Sequence, residues 1–228
     1  MSGETVMEAE SKEKKDRIRS NVLRDAEQAT IAFLCRHMPQ WVTPNKLTAV
    51  GFVGSLLVFT GLWFGRENRW YLLMSIAGLA INWFGDSLDG RLAYYRKTPR
   101  KWFGFSLDVN VDWTATCLIA LGFYFYLPDF KFIALIFVVA YGGSMIISLL
   151  RYRVTNAYAI DRFALGPTEM RIILSVFLLV EVFQAGVLLI FAFAGSVLLI
   201  IINAVESRTL LREADLRDVA EKKAKLAE

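Results

Sequence analysis

Six apolar runs limit what this chain can fold into. They cover about 45–65, 70–94, 103–127, 131–151, 168–184 and 186–205, each close to the roughly 20 residues that carry a helix across a bilayer. The chain of 228 residues is 55% hydrophobic, above the 45–50% or so of ordinary soluble domains. Its charges gather at the two ends and in the short loops between runs. The expectation is an all-α integral membrane protein with six transmembrane helices. Thr43-Pro44-Asn45 opens the first: Thr is a good N-cap, and Pro fits the first helical position, where its missing N–H is not needed. Gln184-Ala185-Gly186 is a very tight turn between the fifth and sixth.

Three parts follow. Residues 1–42 form an N-terminal arm. Within it 8–36 read as an amphipathic helix, with Ile18, Val22, Ala26, Thr30, Phe33 and Leu34 near i, i+4 spacing; such a helix lies in the membrane interface. Residues 43–206 form the transmembrane domain and 207–228 a charged tail. The first 30 residues are too charged for a secretory signal. Orientation follows from Lys and Arg in short loops. Arg96, Lys97, Arg100 and Lys101 follow the second run, and Arg151, Arg153 and Arg162 the fourth. Only Arg66, Arg69 and Lys131 lie on the other side. Both termini are therefore expected in the cytoplasm. The net charge of +4 is read as loop anchoring, not nucleic-acid binding. Cys35 and Cys117 make no metal or disulfide pattern, His37 reads as a surface residue, and the tryptophans mostly fall near run ends as an aromatic belt.

Against this background Asp86, Asp89, Asp108 and Asp112 stand out. All four fall within 27 residues, bounded by apolar runs, although a carboxylate at membrane depth costs about 2.5–3.5 kcal/mol. Asp86 and Asp89 are i, i+3 near the end of the second run; Asp108 and Asp112 are i, i+4 near the start of the third. Each pair shares a helix face. The short loop makes the two helices antiparallel neighbours, so the four groups converge. They would repel one another unless cations neutralise them, and an oxygen-only set selects hard ions such as Mg²⁺, Mn²⁺ or Ca²⁺. Gly90, Ala93 and Gly104 lie beside the carboxylates. Small residues permit close helix packing; they also let a bulky ligand such as a nucleotide approach the backbone.

The pattern Asp-x2-Asp-Gly-x2-Ala, a gap, then Gly-x3-Asp-x3-Asp resembles the signature of the CDP-alcohol phosphotransferase (phosphatidyltransferase) family. The Thr43-Pro44-Asn45…Thr48…Gly51 opening is similar too, and the layout extends the resemblance over about residues 40–205. The resemblance implies cleavage of a CDP-linked lipid or alcohol with release of CMP and transfer of its phosphoryl-alcohol group to the hydroxyl of a second alcohol, in phospholipid synthesis. It implies Mg²⁺ or Mn²⁺ on Asp86, Asp89 and Asp108, with Asp112 as general base and a further metal contact. It implies a donor site involving Asn45, Gly90, Arg91, Ala93, Arg96 and Gly104, and a homodimer. The family pattern has Arg after the Ala, where this chain has Tyr94; Arg91 or Arg96 is expected to supply that charge. Arg151, Arg153 and Arg171 are candidates to hold a small, phosphorylated acceptor, because Arg matches phosphate well.

Two other readings use the same residues. One reverses the lipid roles, with CDP-choline or CDP-ethanolamine as donor and diacylglycerol as acceptor. The other is a divalent-cation transporter. Transport sites lie near the bilayer midplane, often in broken helices, whereas these aspartates lie near one face beside a basic loop.

Overall fold

The computed structural model describes residues 24–155 and 167–227. Residues 8–23 of the expected amphipathic helix, and Arg162, lie outside the described residues. Among the described residues every regular element is helical: α1 (Arg24–His37), α2 (Pro44–Gly65), a 3-10 turn (Arg69–Tyr71), α3 (Leu72–Tyr95), α4 (Lys101–Tyr126), α5 (Lys131–Thr155), α6 (Pro167–Phe183) and α7 (Val187–Ala227). Each apolar run is one helix. Thr43 caps α2 through its side-chain oxygen, which accepts the Lys46 N–H at 3.3 Å, and Pro44 takes the first helical position. The turn before α7 closes on Gly186 at φ 97°, a conformation that suits a residue without Cβ. The charged segment after 206 is no separate element; it continues α7 to Ala227.

Among the described residues three helices, α2, α5 and α7, are long and apolar enough to cross a membrane. α3 and α4 carry the aspartates in their apolar runs, and α6 has only 17 residues. Many large apolar side chains point outward, among them Leu135, Val139, Ile146, Ile190 and Phe193, each more than half exposed. An outer surface this apolar suits lipid, not water.

Small residues bring α2 and α3 together. Gly51, Gly54 and Gly61 of α2 meet Gly78, Gly85 and Ser75 of α3. Polar groups join the two backbones: Ser75 Oγ donates to Val58 O (3.0 Å), and Asn82 Nδ2 donates to Gly51 O (3.1 Å) and Ser55 Oγ (3.0 Å). This is how membrane helices gain contact without a hydrophobic drive between them. A Cβ at Gly78 would lie 2.7 Å from Gly54 O and 2.7 Å from Val58 N. Both atoms are backbone and cannot step aside. Gly78→Ala is therefore expected to destabilise the full chain by about 1–3 kcal/mol, read as a lower thermal unfolding midpoint.

α2 also packs closely against α4, where Gly122 faces Leu62. α3 and α4 do not pack closely on each other. The expectation of two directly neighbouring antiparallel helices is thus corrected: α2 holds α3 on its glycine face and α4 on another. α5 pairs with α7, where Ser144 Oγ donates to Asn203 Oδ1 (2.6 Å) and Asn203 Nδ2 donates to Ala140 O (2.6 Å). α6 packs on α3. α1 rests on α2 and α3 through Ile31, Cys35, Leu47, Leu88 and Leu92.

Candidate metal and donor site

Because α3 and α4 sit apart on α2, a gap lies between them at the aspartate level. Thr48, Gly51, Asn82, Asp86, Asp89, Asp108, Val111 and Asp112 line it, around a cavity of about 10 Å³, roughly room for one water-sized body. One carboxylate oxygen from each of Asp86, Asp108 and Asp112 lies within 4.8 Å of the others. Oxygens on one Mg²⁺ or Ca²⁺ lie about 2.0–2.6 Å from it, hence up to about twice that from one another. The three groups therefore fit a single hard cation.

Asp89 lines the same cavity without joining that triad. Its Oδ2 accepts Thr48 Oγ1 at 2.5 Å and its Oδ1 accepts the Gly90 N–H at 2.5 Å. All four expected aspartates line this cavity, and Asp86, Asp108 and Asp112 are the three whose oxygens come together. Thr48 is a buried α2 residue aimed across at α3. Removing its hydroxyl leaves a charged acceptor short of a donor. Thr48→Val is expected to cost about 1.5–3 kcal/mol in thermal unfolding, and Thr48→Ser to restore most of it.

The fourth element at the site is α6. Arg171 Nη2 lies 2.6 Å from Asp86 Oδ2, so this arginine belongs to the aspartate cluster. The other arginines lie elsewhere. Arg151 is buried between α5 and α7, where it pairs with Glu206 and, at 3.2 Å, with Glu213. Arg153 is exposed, and its carbonyl accepts from Arg217 Nη1 at 2.9 Å. The Arg96 guanidinium donates to the carbonyls of Val42, Pro39 (2.8 Å) and Met38 (3.2 Å), tying the α1–α2 linker to the end of α3. Asn45 accepts Arg100 Nη2 at 2.5 Å. Arg91 and Ala93 are half-buried and Tyr94 is exposed. An added Cβ at Gly90 or Gly104 would meet nothing within 4 Å. Close helix packing therefore does not explain these two glycines, and open approach to the backbone beside the carboxylates remains.

One acidic residue has a structural role that sequence reading passed over. Glu181 is buried, and its carboxylate accepts the N–H groups of Gly186 (2.9 Å) and Leu188 (2.8 Å) and the Tyr126 hydroxyl (2.8 Å). It caps the start of α7, where N–H groups lack helical partners. It borders a more open cavity of about 560 Å³ lined by Arg66, Arg69, Asp129 and neighbours, at the opposite end of α2 from Thr48.

An oxygen-only cluster that could hold a metal ion sits in an apolar helical frame suited to a membrane. The chain belongs to the CDP-alcohol phosphatidyltransferase family, whose model matches residues 41–202. Among curated proteins none matches it. The family is one of transferases of phosphate-containing groups, working in a membrane on a CDP-alcohol donor and an alcohol acceptor with a divalent metal. The transporter reading gives way to this match.

Proposed function

We propose that this chain transfers the phosphatidyl group of a CDP-activated lipid to a small alcohol, releasing CMP. The observation that carries the proposal is the convergence of Asp86, Asp108 and Asp112 within the stretch 41–202 that matches the family. In this reading all six apolar helices span the bilayer and form the catalytic domain, 43–206. The N-terminal amphipathic arm lies along the interface. Both termini and the loops 95–102 and 152–167 face the cytoplasm, so a cytosolic nucleotide reaches the site from the side of the basic loop.

A divalent ion held among these carboxylates would supply positive charge to offset the diphosphate and the departing CMP. Asp86 and Asp108 hold it, with Asp112 within reach of the same position, and Asp89 stands beside them on Thr48. Asp112 takes the proton of the acceptor hydroxyl. The acceptor oxygen forms a bond to the phosphatidyl phosphorus as the bond to CMP breaks, and CMP leaves with that electron pair. Gly90 and Gly104 leave the backbone open to the nucleotide, and Arg91 supplies positive charge near the donor. Arg171 is the arginine best placed for a phosphorylated acceptor. Arg151 and Arg153 lie further from the carboxylates, and Arg151 serves the α5–α7 contact.

The test is CMP release by the purified full chain with Mg²⁺ or Mn²⁺. CDP-diacylglycerol is supplied with a panel of acceptor alcohols, and CDP-choline with diacylglycerol. CMP is expected only from the first donor. CMP from the second alone reverses the lipid roles, and none from either removes the proposal. Sidedness is checked separately on a background without Cys35 and Cys117. A cysteine at position 98 is expected to react with an impermeant reagent only from the cytoplasmic side; labelling from outside alone overturns the orientation.

A further inference from the structure

Arg171 stands 2.6 Å from a carboxylate of the metal triad, and its position is built, not incidental. α6 packs on α3. Its first turn is tied to α1 by Thr168 Oγ1, which donates to Glu27 Oε1 at 2.6 Å. The side chains of Arg171 and Asp86 are only 18% and 23% exposed, so little water screens the pair. A guanidinium stays charged at any pH a protein survives. It cannot yield to an incoming cation by losing a proton; it must move, or the cation binds against its repulsion.

We propose that Arg171 competes with the divalent cation for Asp86, so that the metal affinity of the site is held below what its carboxylates alone would give. This deepens the reading of the triad as a metal site and rests on it. Asp86 is the shared member: the triad counts it as a ligand and the ion pair counts it as a partner. Metal entry then exchanges one cation for another on the same carboxylate, and the guanidinium is released beside the cavity. Arg171 is a positioning residue, not a ligand. Its removal acts opposite to the removal of a ligand, and no merely structural role predicts that sign.

The experiment uses the full chain in lipid nanodiscs and Mn²⁺ alone, without nucleotide. Free aqueous Mn²⁺ is followed by electron paramagnetic resonance, and thermal unfolding is recorded beside it. Arg171→Gln is expected to bind Mn²⁺ about tenfold or more tightly than wild type, because a like charge a few ångströms away is gone. Arg171→Lys, which keeps the charge, is expected to bind as wild type does. Arg171→Met keeps the apolar stem and replaces the Gln variant if that one fails to fold. Asp86→Asn is expected to weaken binding. Unchanged or weaker Mn²⁺ binding in both neutral variants, with Asp86→Asn still impaired, overturns the competition and leaves the metal site standing. Mn²⁺ binding that none of these substitutions alters removes the metal reading and the competition with it.

Discussion

Asp108→Asn is expected to reduce CMP release by about 10²–10³-fold, since a neutral amide withdraws several kcal/mol of metal-borne charge stabilisation. Asp86→Asn should lose activity to a similar degree and also lose stability. Asp86 is the partner of Arg171, and removing one side of a poorly exposed pair strands the other charge. A fully buried pair broken this way costs about 3–5 kcal/mol; this half-buried one should cost less, on the order of 1–3 kcal/mol. Turnover and thermal unfolding, measured on both variants, decide the matter. Near-normal turnover in Asp108→Asn would sink the assignment of the triad.

The other large effect belongs to Asp112, one helical turn beyond Asp108 on α4 and a member of the same oxygen triad. As general base, its replacement by Asn should lower turnover by about 10²–10⁴-fold while CDP-alcohol binding at saturating Mg²⁺ stays near wild type. Such a split marks an interaction used in the transition state and not in ground-state binding. Donor affinity that falls in step with the Asp108→Asn variant would make Asp112 chiefly a ligand, and the base would be sought among other groups at the cavity.

The helices were legible in the sequence because run length and loop charge are local properties. The Thr43 cap and the Gly186 turn are local too, and the structure reproduces both. The aspartate motif was legible because four carboxylates in an apolar stretch demand a reason. Their convergence on one cavity was legible too; the way the helices bring it about was not. Chain adjacency suggested that α3 and α4 pair directly, yet α2 holds each of them. A signal for this existed in the small residues at 51, 54 and 61 and at 75, 78 and 85, spaced three or seven apart, which mark faces that approach backbone to backbone. The arginines show the limit of sequence reading. Arg151, Arg171 and Arg96 all carry the same charge near helix ends. One pairs with glutamates on α7, one with Asp86, and one with main-chain carbonyls of the α1–α2 linker. Partners 54 to 85 residues away follow from how the helices pack, and no local pattern encodes that.

α7 is a single helix of 41 residues, about 60 Å long at 1.5 Å per residue, roughly twice the hydrocarbon thickness of a bilayer. Its charged half is fastened to α5: Arg151 grips Glu206 and Glu213, and Arg217 donates to the carbonyls of Arg153 and Val154. The rod therefore inherits its direction from the bundle. A reporter domain joined in helical register after Ala227 would be carried as a fixed pointer, turning with the protein and not tumbling on a tether. Such a pointer would make a small, lipid-embedded chain visible to imaging, and its angle to the membrane normal would measure the tilt of the whole bundle.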